Sequence, residues 1–219
     1  MTEYVGQAMP RYDGIGQVTG TTKFVDDFVL PGMLYAKALR SPVHKGLIRN
    51  IDFSAAENTP GLVGFVTADD IPGANVYGAC VDQPVLADKY IRYKGEDIAL
   101  AVAVDEDTCM EALEKVKLDI EEQEPVFDMF KAIEPGAPLV RPDTTSNLWE
   151  YEPGMTTRVI YLGDVEQGFA EADHIVEGRY QTGEQDHAAM EPMVSVAYLD
   201  DAGRLAIHTH SQCLYFQLG

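Results

Sequence analysis

The chain has 219 residues, 46% of them hydrophobic, which is enough for one large domain or two small ones with a buried core. Its 36 acidic and 16 basic residues give a formal net charge of −20, which disfavours nucleic acid and anionic membranes as partners. The acidic residues then form either a well-solvated surface or a contact surface for a basic partner subunit. It shows neither a signal-peptide pattern nor an apolar run that could span a bilayer, so we expect a cytoplasmic protein.

The three cysteines, Cys80, Cys109 and Cys213, are widely separated, and no two of them form a C-x-x-C pair. This pattern indicates free thiols in a reducing compartment. It argues against a zinc or iron–sulfur site with four cysteines from this chain. A cluster that carries electrons would therefore lie on another polypeptide or on another part of the protein.

Short strands and one helix are predicted in the first half of the chain. The segment "GIGQVTG" (14–20) has G-x-G-x-x-x-G spacing, with no strand before it and no helical pattern after it, so we predict a turn rather than a phosphate-binding loop. Strands are predicted where apolar and polar residues nearly alternate and where β-branched and aromatic residues are frequent. These segments are "GMLYAKALR", "IRNIDF" and "GLVGFVTADDI".

The clearest local unit lies between residues 96 and 124. The continuous apolar run "IALAVAV" is typical of a strand that is buried on both faces. Cys109, Ala112, Leu113 and Val116 then follow at helical spacing, after three acidic residues that suit a helix N-terminus. The segment "VKLDIEE" returns as a strand. We expect the apolar face of the helix to cover a sheet, with Cys109 as a small core residue rather than a nucleophile.

Residues 126–155 are rich in proline and show no sustained period, so they are predicted to be a linker anchored by Phe127, Phe130 and Trp149. Beyond the linker, "LGDVEQGFAEADHIVEGRYQT" predicts a short helix capped by Asp164 and then a strand. Two further strands joined by Asp-Asp-Ala-Gly are predicted in "MVSVAYLDDAGRLAIHTHSQ". Together the three strands would form a meander.

The last predicted strand carries two histidines on one face. Period-two geometry places Ala206, His208, His210 and Gln212 on that face. The two histidines could reach one metal ion, but they lack the third ligand of a catalytic zinc site, so a polar strand surface is the preferred interpretation. Gln212 can donate and accept hydrogen bonds at once, which suits recognition of an oxo or hydroxo group.

The stretch "TGEQDHAAMEP" (182–192) concentrates polar side chains. Glu184, Asp186 and Glu191 could supply a general acid and a general base only if burial or pairing separated their pKa values. His187 could orient a carboxylate, although a loop histidine that is satisfied by backbone groups is the more common situation. The residues alone leave both interpretations open.

Five blocks occur in order along nearly the whole chain: "RYDGIGQVTGTTKFVDDFVLPGMLYAKALRSPVHKGLIRNID", "TADDIPGAN", "PVLADKYIRYKGEDIALAVA", "GDVEQGFAEADHIVEGRYQTGEQDHAAMEP" and "HTHSQ". In this order they resemble the molybdenum hydroxylase family, which includes xanthine dehydrogenase and aldehyde oxidase. The resemblance implies an α+β fold. An α/β hammerhead domain would occupy residues 1–125, and the start of a mixed α/β molybdenum cofactor-binding domain would occupy residues 156–219.

In such enzymes a molybdenum ion and a pterin dithiolene, either molybdopterin or its cytosine dinucleotide form, hydroxylate a heterocycle or an aldehyde with oxygen from water. Electrons leave through two [2Fe–2S] clusters and often FAD, which lie on other domains or subunits. The resemblance therefore implies three partners: the remaining molybdopterin-binding region, an iron–sulfur subunit and a FAD subunit. Association of several copies of this chain into a homo-oligomer is a further possibility.

The family's functional residues can be transferred to a few positions. Gln212 in "HSQ" matches the family glutamine that hydrogen-bonds an oxygen ligand of molybdenum. The segment "EQDHAAMEP" is similar to the family pattern Q-E-H-x-x-x-E-P, with Asp186 where glutamate is common, which implies a supporting or structural role for Gln185, His187 and Glu191.

Two functional features of the family are absent from these residues, namely the "GGGFGG" loop and the general-base glutamate. We therefore expect an N-terminal fragment, or the product of a split gene, that binds no cofactor and is inactive alone. The alternative is a non-catalytic scaffold or assembly module that binds a partner subunit.

Overall fold

The structure is a computed structural model that describes residues 5–78, 82–150, 160 and 162–211. The helices in these ranges are α1 (Gly14–Thr19), α2 (Glu106–Lys115), α3 (Met129–Ala132) and α4 (Val165–Glu171). The strands are β1 (Tyr35–Arg40), β2 (Gly46–Asp52), β3 (Leu62–Val66), β4 (Tyr90–Ile91), β5 (Asp97–Ala103), β6 (Lys117–Glu122), β7 (Ser195–Leu199) and β8 (Leu205–Thr209). The pairs between these strands are antiparallel, and the helices do not alternate regularly with them, so the fold is α+β as predicted.

The chain divides into two compact units, Gly32–Ile175 and the combination of Met1–Pro31 with Val176–Gly219. In the first unit, β5 is the central strand of a three-stranded sheet, between β1 and β3. Ile98, Ala99, Ala101 and Ala103 of β5 have no solvent exposure. The strand predicted from the run "IALAVAV" is therefore confirmed, together with its burial.

Helix α2 packs against β1 and β5. It begins after Asp105, whose carboxylate accepts a hydrogen bond from the backbone N–H of Thr108 and so satisfies one of the free donors of the first turn. Cys109, Ala112 and Leu113 form its buried face. Cys109 has no solvent exposure, which confirms that it is a core residue. Tyr35, Leu39, Leu62 and Phe65 pack around this cluster.

The second sheet of the same unit has β2 at its centre, between β4 and β6. Its core consists of Ala87, Ile91 and Ile98, with Val43, Ile48, Ile51, Leu118 and Ile120 packed against them. Because β6 pairs with β2 and not with β5, the predicted strand, helix and strand connect two different sheets. Ile98 of β5 lies in this second core, so β5 contributes to both.

The predicted linker contains an ordered loop in addition to α3. The side-chain amide of Asn147 donates hydrogen bonds to the carbonyl groups of Ala132, at 2.9 Å, and Pro138, at 3.0 Å. Its side-chain oxygen accepts a hydrogen bond from the backbone N–H of Val140 at 2.8 Å. One side chain thus ties together three points of a segment that has no periodic sequence pattern.

The three aromatic residues predicted to anchor this segment differ in their packing. The ring of Phe127 meets the ring of His44 edge-on at 5.0 Å, although Phe127 is 76% exposed. Phe130 and Trp149 are 61% and 45% exposed. The hydrogen bonds of Asn147 therefore stabilise the loop more than burial of these rings does.

The predicted helix with an Asp164 cap is confirmed as α4, since Asp164 accepts a hydrogen bond from the N–H of Gln167.

In the second unit, β7 and β8 form the predicted hairpin. Its turn contains Gly203 with φ of +75°, a conformation that glycine adopts without strain. Asp200 accepts hydrogen bonds from the backbone N–H groups of Ala202 and Arg204, which closes the turn. The bond from Arg204 is the main reason why the pKa of Asp200 lies below its usual range.

Two predictions for this part of the chain are wrong. The strand expected within residues 174–182 is not formed, so the meander has two strands rather than three. Ile175 and Val176 are 57% and 89% exposed; β-branched residues without a sheet to pack against do not fix a strand. The turn expected at 14–20 is the short helix α1, which is followed by Gly20 with φ of +70°.

No helix in the described ranges is long and apolar enough to cross a membrane.

Candidate functional site

The polar face of β8 is the more buried one within its unit. Ala206 and His208 on this face are half-buried, as is His210 just beyond the strand, whereas Leu205 and Ile207 on the opposite face are 66% and 57% exposed. Because apolar side chains normally occupy the inner face of a hairpin, this inversion is informative. The side chains on the histidine face are therefore packed against neighbouring residues, whereas the apolar side chains on the other face are not.

An aromatic stack holds His208. Its ring lies 4.8 Å from the ring of Phe28 with an interplanar angle of 26°, and 5.7 Å from the ring of Tyr198 with an angle of 7°. The hydroxyl group of Tyr198 and Nε2 of His208 are hydrogen-bonded at 3.1 Å. No sequence pattern predicts this stack, because Phe28 and His208 are far apart along the chain.

The end of β8 is fixed by a pair of hydroxyl groups. Ser195 on β7 lies directly opposite Thr209, and their side-chain oxygens are 2.7 Å apart. The Thr209 hydroxyl also donates a hydrogen bond to the carbonyl oxygen of His210. Beyond this point, Nδ1 of His210 is buried and has no hydrogen-bond partner in the described part of the chain. Gln212, the predicted cofactor residue, lies outside the described residues.

The other predicted site residues lie in an irregular segment. Gln185, His187 and Glu191 are exposed, and no helix or strand forms between residues 172 and 194. Ala188 has φ of +45°, in the left-handed region that favours glycine, so the backbone bends within this stretch. The supporting role of these three residues stays a prediction.

No group of three or more His, Cys, Asp or Glu side chains that could hold a metal ion occurs among the described residues. A surface cavity of about 730 Å³ lies wholly within the first unit, where Arg141 and Asp82 form an ion pair at 2.7 Å on its rim. It contains none of the predicted site residues. The end of β8 is therefore the part of the described structure that best matches the sequence-based expectation.

Comparison with known families divides the chain into two matched regions. Residues 19–124 match the family model described as "Aldehyde oxidase and xanthine dehydrogenase, a/b hammerhead domain". Residues 150–217, which include β7, β8 and Gln212, match the model of the molybdopterin cofactor-binding domain. The two models follow one another in the order that the sequence blocks indicated.

Individual relatives agree with these matches. The chain is 31% identical to the nicotinate dehydrogenase large molybdopterin subunit of Eubacterium barkeri, over 99% of this chain and 49% of that protein. It is 30% identical to the xanthine dehydrogenase of Oryza sativa, over 91% of this chain and 14% of that protein. The chain thus spans about half, or less, of the length of these relatives.

Two solved structures share the fold. Aldehyde oxidoreductase from Desulfovibrio gigas superposes with a TM-score of 0.73 at 30% identity, over 91% of this chain and 23% of that chain. A Cu,Mo-CO dehydrogenase superposes with a TM-score of 0.77, also at 30% identity, over 92% of this chain and 27% of that chain. The hammerhead fold expected from the resemblance is thereby confirmed.

Proposed function

This chain belongs to the aldehyde oxidase and xanthine dehydrogenase family, and we propose that it is the first part of the molybdenum-binding portion of a hydroxylase. The hydroxylase oxidises a heterocycle or an aldehyde with oxygen taken from water. The observation that supports the proposal most is the order of two adjacent family matches, a hammerhead domain followed by a cofactor-binding domain. The domain limits we propose are 1–125 and 156–219, with 126–155 between them.

The family implies a molybdopterin cofactor in the complete enzyme. When bound, this group supplies a metal that accepts two electrons while oxygen derived from water is transferred to carbon. The described residues fit such a group in one respect: the end of β8 presents a buried ring nitrogen of His210 that lacks a partner. Buried polar atoms in folded proteins are nearly always paired, so a partner beyond the described residues is expected there, and a bound cofactor is one such partner.

In the proposed enzyme, Gln212 is the residue that we assign to hydrogen bonding with the cofactor. Its amide can donate one hydrogen bond and accept another, so it can hold an oxygen-bearing group in one orientation. Gln185, His187 and Glu191 are assigned a supporting role in the segment that leads to the hairpin. The ladder between β7 and β8 and the Ser195–Thr209 contact hold β8, which ends three residues before Gln212 in the sequence.

The proposed partners are the parts of a molybdenum hydroxylase that residues 1–219 lack. The glycine-rich loop and the general-base glutamate that the resemblance leads us to expect are not found within residues 1–219, so we propose that these residues alone do not turn over substrate. The remaining molybdopterin-binding region, an iron–sulfur subunit and a FAD subunit would complete the enzyme, in the cytoplasm. The acidic surface, with its net charge of −20, suits contact with basic surfaces on such partners.

Metal and pterin analysis tests this function. The chain is produced alone and, in parallel, together with the coding sequence that lies beside it in the genome, and molybdenum and pterin are measured per chain. We expect both only in the second preparation, which should oxidise at least one of xanthine, nicotinate and an aromatic aldehyde. If neither preparation contained molybdenum, the function would be wrong and a non-catalytic scaffold would be the better interpretation.

A pair of glutamine variants tests the assignment of Gln212 in the active preparation. Gln212→Ala should lower kcat by about 100- to 1000-fold, the range seen when one hydrogen-bond donor to a developing negatively charged oxygen is removed. Gln181→Ala, a matched change at an exposed glutamine outside the proposed site, should leave kcat unchanged. Equal activities in the two variants would contradict the role of Gln212.

A further inference from the structure

We propose that the free edge of β3 binds an extended segment of a partner chain, one with apolar side chains at alternate positions and Lys or Arg at its ends. Strand β3 pairs with β5 on one side and with no other strand in the described ranges. Such binding goes beyond the proposed function and does not need the cofactor, so its absence would leave that function untouched.

Strand β3 differs in composition from the other edge strands of the first unit. Edge strands are usually protected against pairing by charged side chains or by their short length. Strand β1 carries Lys37 and Arg40, β6 carries four charged residues, and β4 consists of two residues. In contrast, β3 has the sequence Leu-Val-Gly-Phe-Val, without a charge. Its edge therefore lacks the protection that the other edges have.

The backbone of this edge is available for hydrogen bonding. An edge strand directs alternate N–H and C=O groups away from its sheet. At the start of β3 the N–H of Leu62 donates to the carbonyl oxygen of Thr59, and just beyond its end the N–H of Thr67 donates to the carboxylate of Asp70. Between these points, the backbone of residues 63–66 makes no hydrogen bond outside the pair with β5 in the described part of the chain. This stretch is open to a partner strand.

A groove beside the edge offers room for apolar side chains. Its volume is about 330 Å³, and it runs along β3. The stacked rings of Phe53 and Phe65, 4.4 Å apart, lie in its wall. A register shift leaves Val63 without a partner residue on β5, and its side chain is 61% exposed. At Gly64 a Cβ would meet nothing within 4 Å, so a partner strand can approach the backbone closely there.

The charges around the groove determine which partner fits it. Glu57 lies in the groove wall. The carboxylate of Asp70 accepts hydrogen bonds from the N–H and the hydroxyl group of Thr67, at 2.8 and 3.0 Å, and Asp69 beside it is exposed. No lysine or arginine is among the described residues that line the groove. An apolar groove with acidic groups around it is complementary to an apolar strand with basic ends.

A second copy of this chain fits the edge less well than a basic partner does. In a symmetric pair of β3 strands, Glu57, Asp69 and Asp70 of both copies would gather around one interface, and like charges brought together are destabilising. Lys115 reaches the loop that precedes β3, but its charge is already paired with Glu111 at 2.7 Å. It therefore leaves the acidic character of the groove in place.

Binding of two matched peptides to the full chain tests the inference. The peptides Lys-Val-Thr-Val-Thr-Val-Lys and Glu-Val-Thr-Val-Thr-Val-Glu share their apolar pattern and differ in the charge at their ends. Fluorescence anisotropy should show that the lysine peptide binds about tenfold more tightly, because its charges are complementary to those of the groove. The amide hydrogens of residues 62–67 should exchange more slowly when this peptide is bound, which locates it at the β3 edge.

Charge-reversal variants separate the groove from the general acidity of the chain. Glu57→Lys should weaken binding of the lysine peptide by about tenfold and strengthen binding of the glutamate peptide. Glu134→Lys changes the net charge by the same amount at an exposed position that does not line the groove, so it should change binding less. Val63→Lys, which places a positive charge on the edge itself, should also weaken binding of the lysine peptide.

Equal affinities of the two peptides, or unchanged exchange at residues 62–67, would overturn the inference. Equal effects of Glu57→Lys and Glu134→Lys would do the same, since binding would then follow net charge alone. Exchange at residues 62–67 that slows as the chain is concentrated without peptide would show that a second copy occupies the edge, which also contradicts the proposal. The comparisons on the native chain need no variant, so they decide the matter where a variant does not fold.

Discussion

Cys109 shows how burial decides the chemistry of a single residue. Its thiol has no solvent exposure and lies 3.3 Å from the carbonyl oxygen of Tyr35 and 3.4 Å from that of Ala101. Removal of the thiol from water raises the pKa of Cys109, because the charged thiolate is poorly solvated in the core. The thiolate is the reactive form of cysteine. Burial therefore lowers the reactivity of Cys109 in two ways: reagents do not reach the sulfur, and the thiol ionises less readily.

We therefore expect Cys109 to resist alkylation in the folded chain. Treatment with iodoacetamide at pH 8 should leave the peptide that contains α2 unmodified, whereas the same treatment in 8 M urea should modify it completely. Mass spectrometry of the digested protein measures both results. Rapid modification of Cys109 without denaturant would show that α2 opens readily or does not cover the sheet.

At the scale of the element, α2 depends on its first turn. The pKa of Asp105 is lowered mainly by the hydrogen bond from the backbone N–H of Thr108, which favours the charged carboxylate. A carboxyl group whose folded-state pKa is depressed stabilises the fold above its unfolded-state pKa of about 3.9. That contribution is lost as the pH falls from this value through the lower folded-state pKa.

Asp105→Ala should therefore destabilise the chain at pH 7 and have a smaller effect at pH 2. At neutral pH we expect a fall of about 2–4 °C in Tm, as is usual for the loss of one helix cap in a chain of this size. Asp107→Asn, in the same turn but without a capping bond, is the control and should shift Tm less. Calorimetry across this pH range measures the difference, and an equal loss at both pH values would contradict the role of the charged carboxylate.

The loop closed by Asn147 gives a second prediction for an element. Asn147→Ala removes three hydrogen bonds to backbone groups and should destabilise the segment by about 1–3 kcal/mol. Asn147→Asp has nearly the same shape but cannot donate to Ala132 and Pro138, so it should have a similar effect. Backbone hydrogen exchange of residues 132–148 should become faster in both variants while β5 stays protected. Unchanged exchange in this loop would contradict the proposed role of Asn147.

Sequence patterns identified the elements whose burial is local and periodic. The strands β1, β2, β3, β5 and β6 and the helix α2 were predicted because alternation or helical spacing of apolar residues shows directly which side faces a core. The hairpin of β7 and β8 was predicted from a turn with glycine at the required position. For the site, the pattern placed His208 and His210 on one face, and the structure shows that this face is half-buried.

The sequence patterns failed where one contact with a distant residue decides the structure. Asn147 orders a loop that has no period, and Phe28 reaches His208 from near the other end of the chain. Neither contact leaves a local signal. The strand expected near residue 176 shows the opposite error, because its β-branched residues suggested a strand although no neighbouring strand pairs with them in the described structure.

At the scale of the whole molecule, the two units differ in how they are stabilised. Both clusters of buried apolar residues lie in Gly32–Ile175. The second unit contains a two-stranded hairpin whose outer face presents Leu199, Leu205 and Ile207, which are 69%, 66% and 57% exposed. A two-stranded hairpin is only marginally stable in water by itself. The second unit is therefore expected to open more easily than the first.

This difference predicts that the isolated chain self-associates through the hairpin. Exposed apolar strands tend to pair with other strands, so light scattering should show an apparent mass that rises with protein concentration. Ile207→Lys adds a charge to the exposed face and should reduce the association, whereas Val63→Lys, a similar change at a 61% exposed position on β3, should reduce it less. A strict monomer at high concentration, with full hydrogen-exchange protection of residues 193–211, would contradict the prediction, because the hairpin would then be stable without a partner for its apolar face.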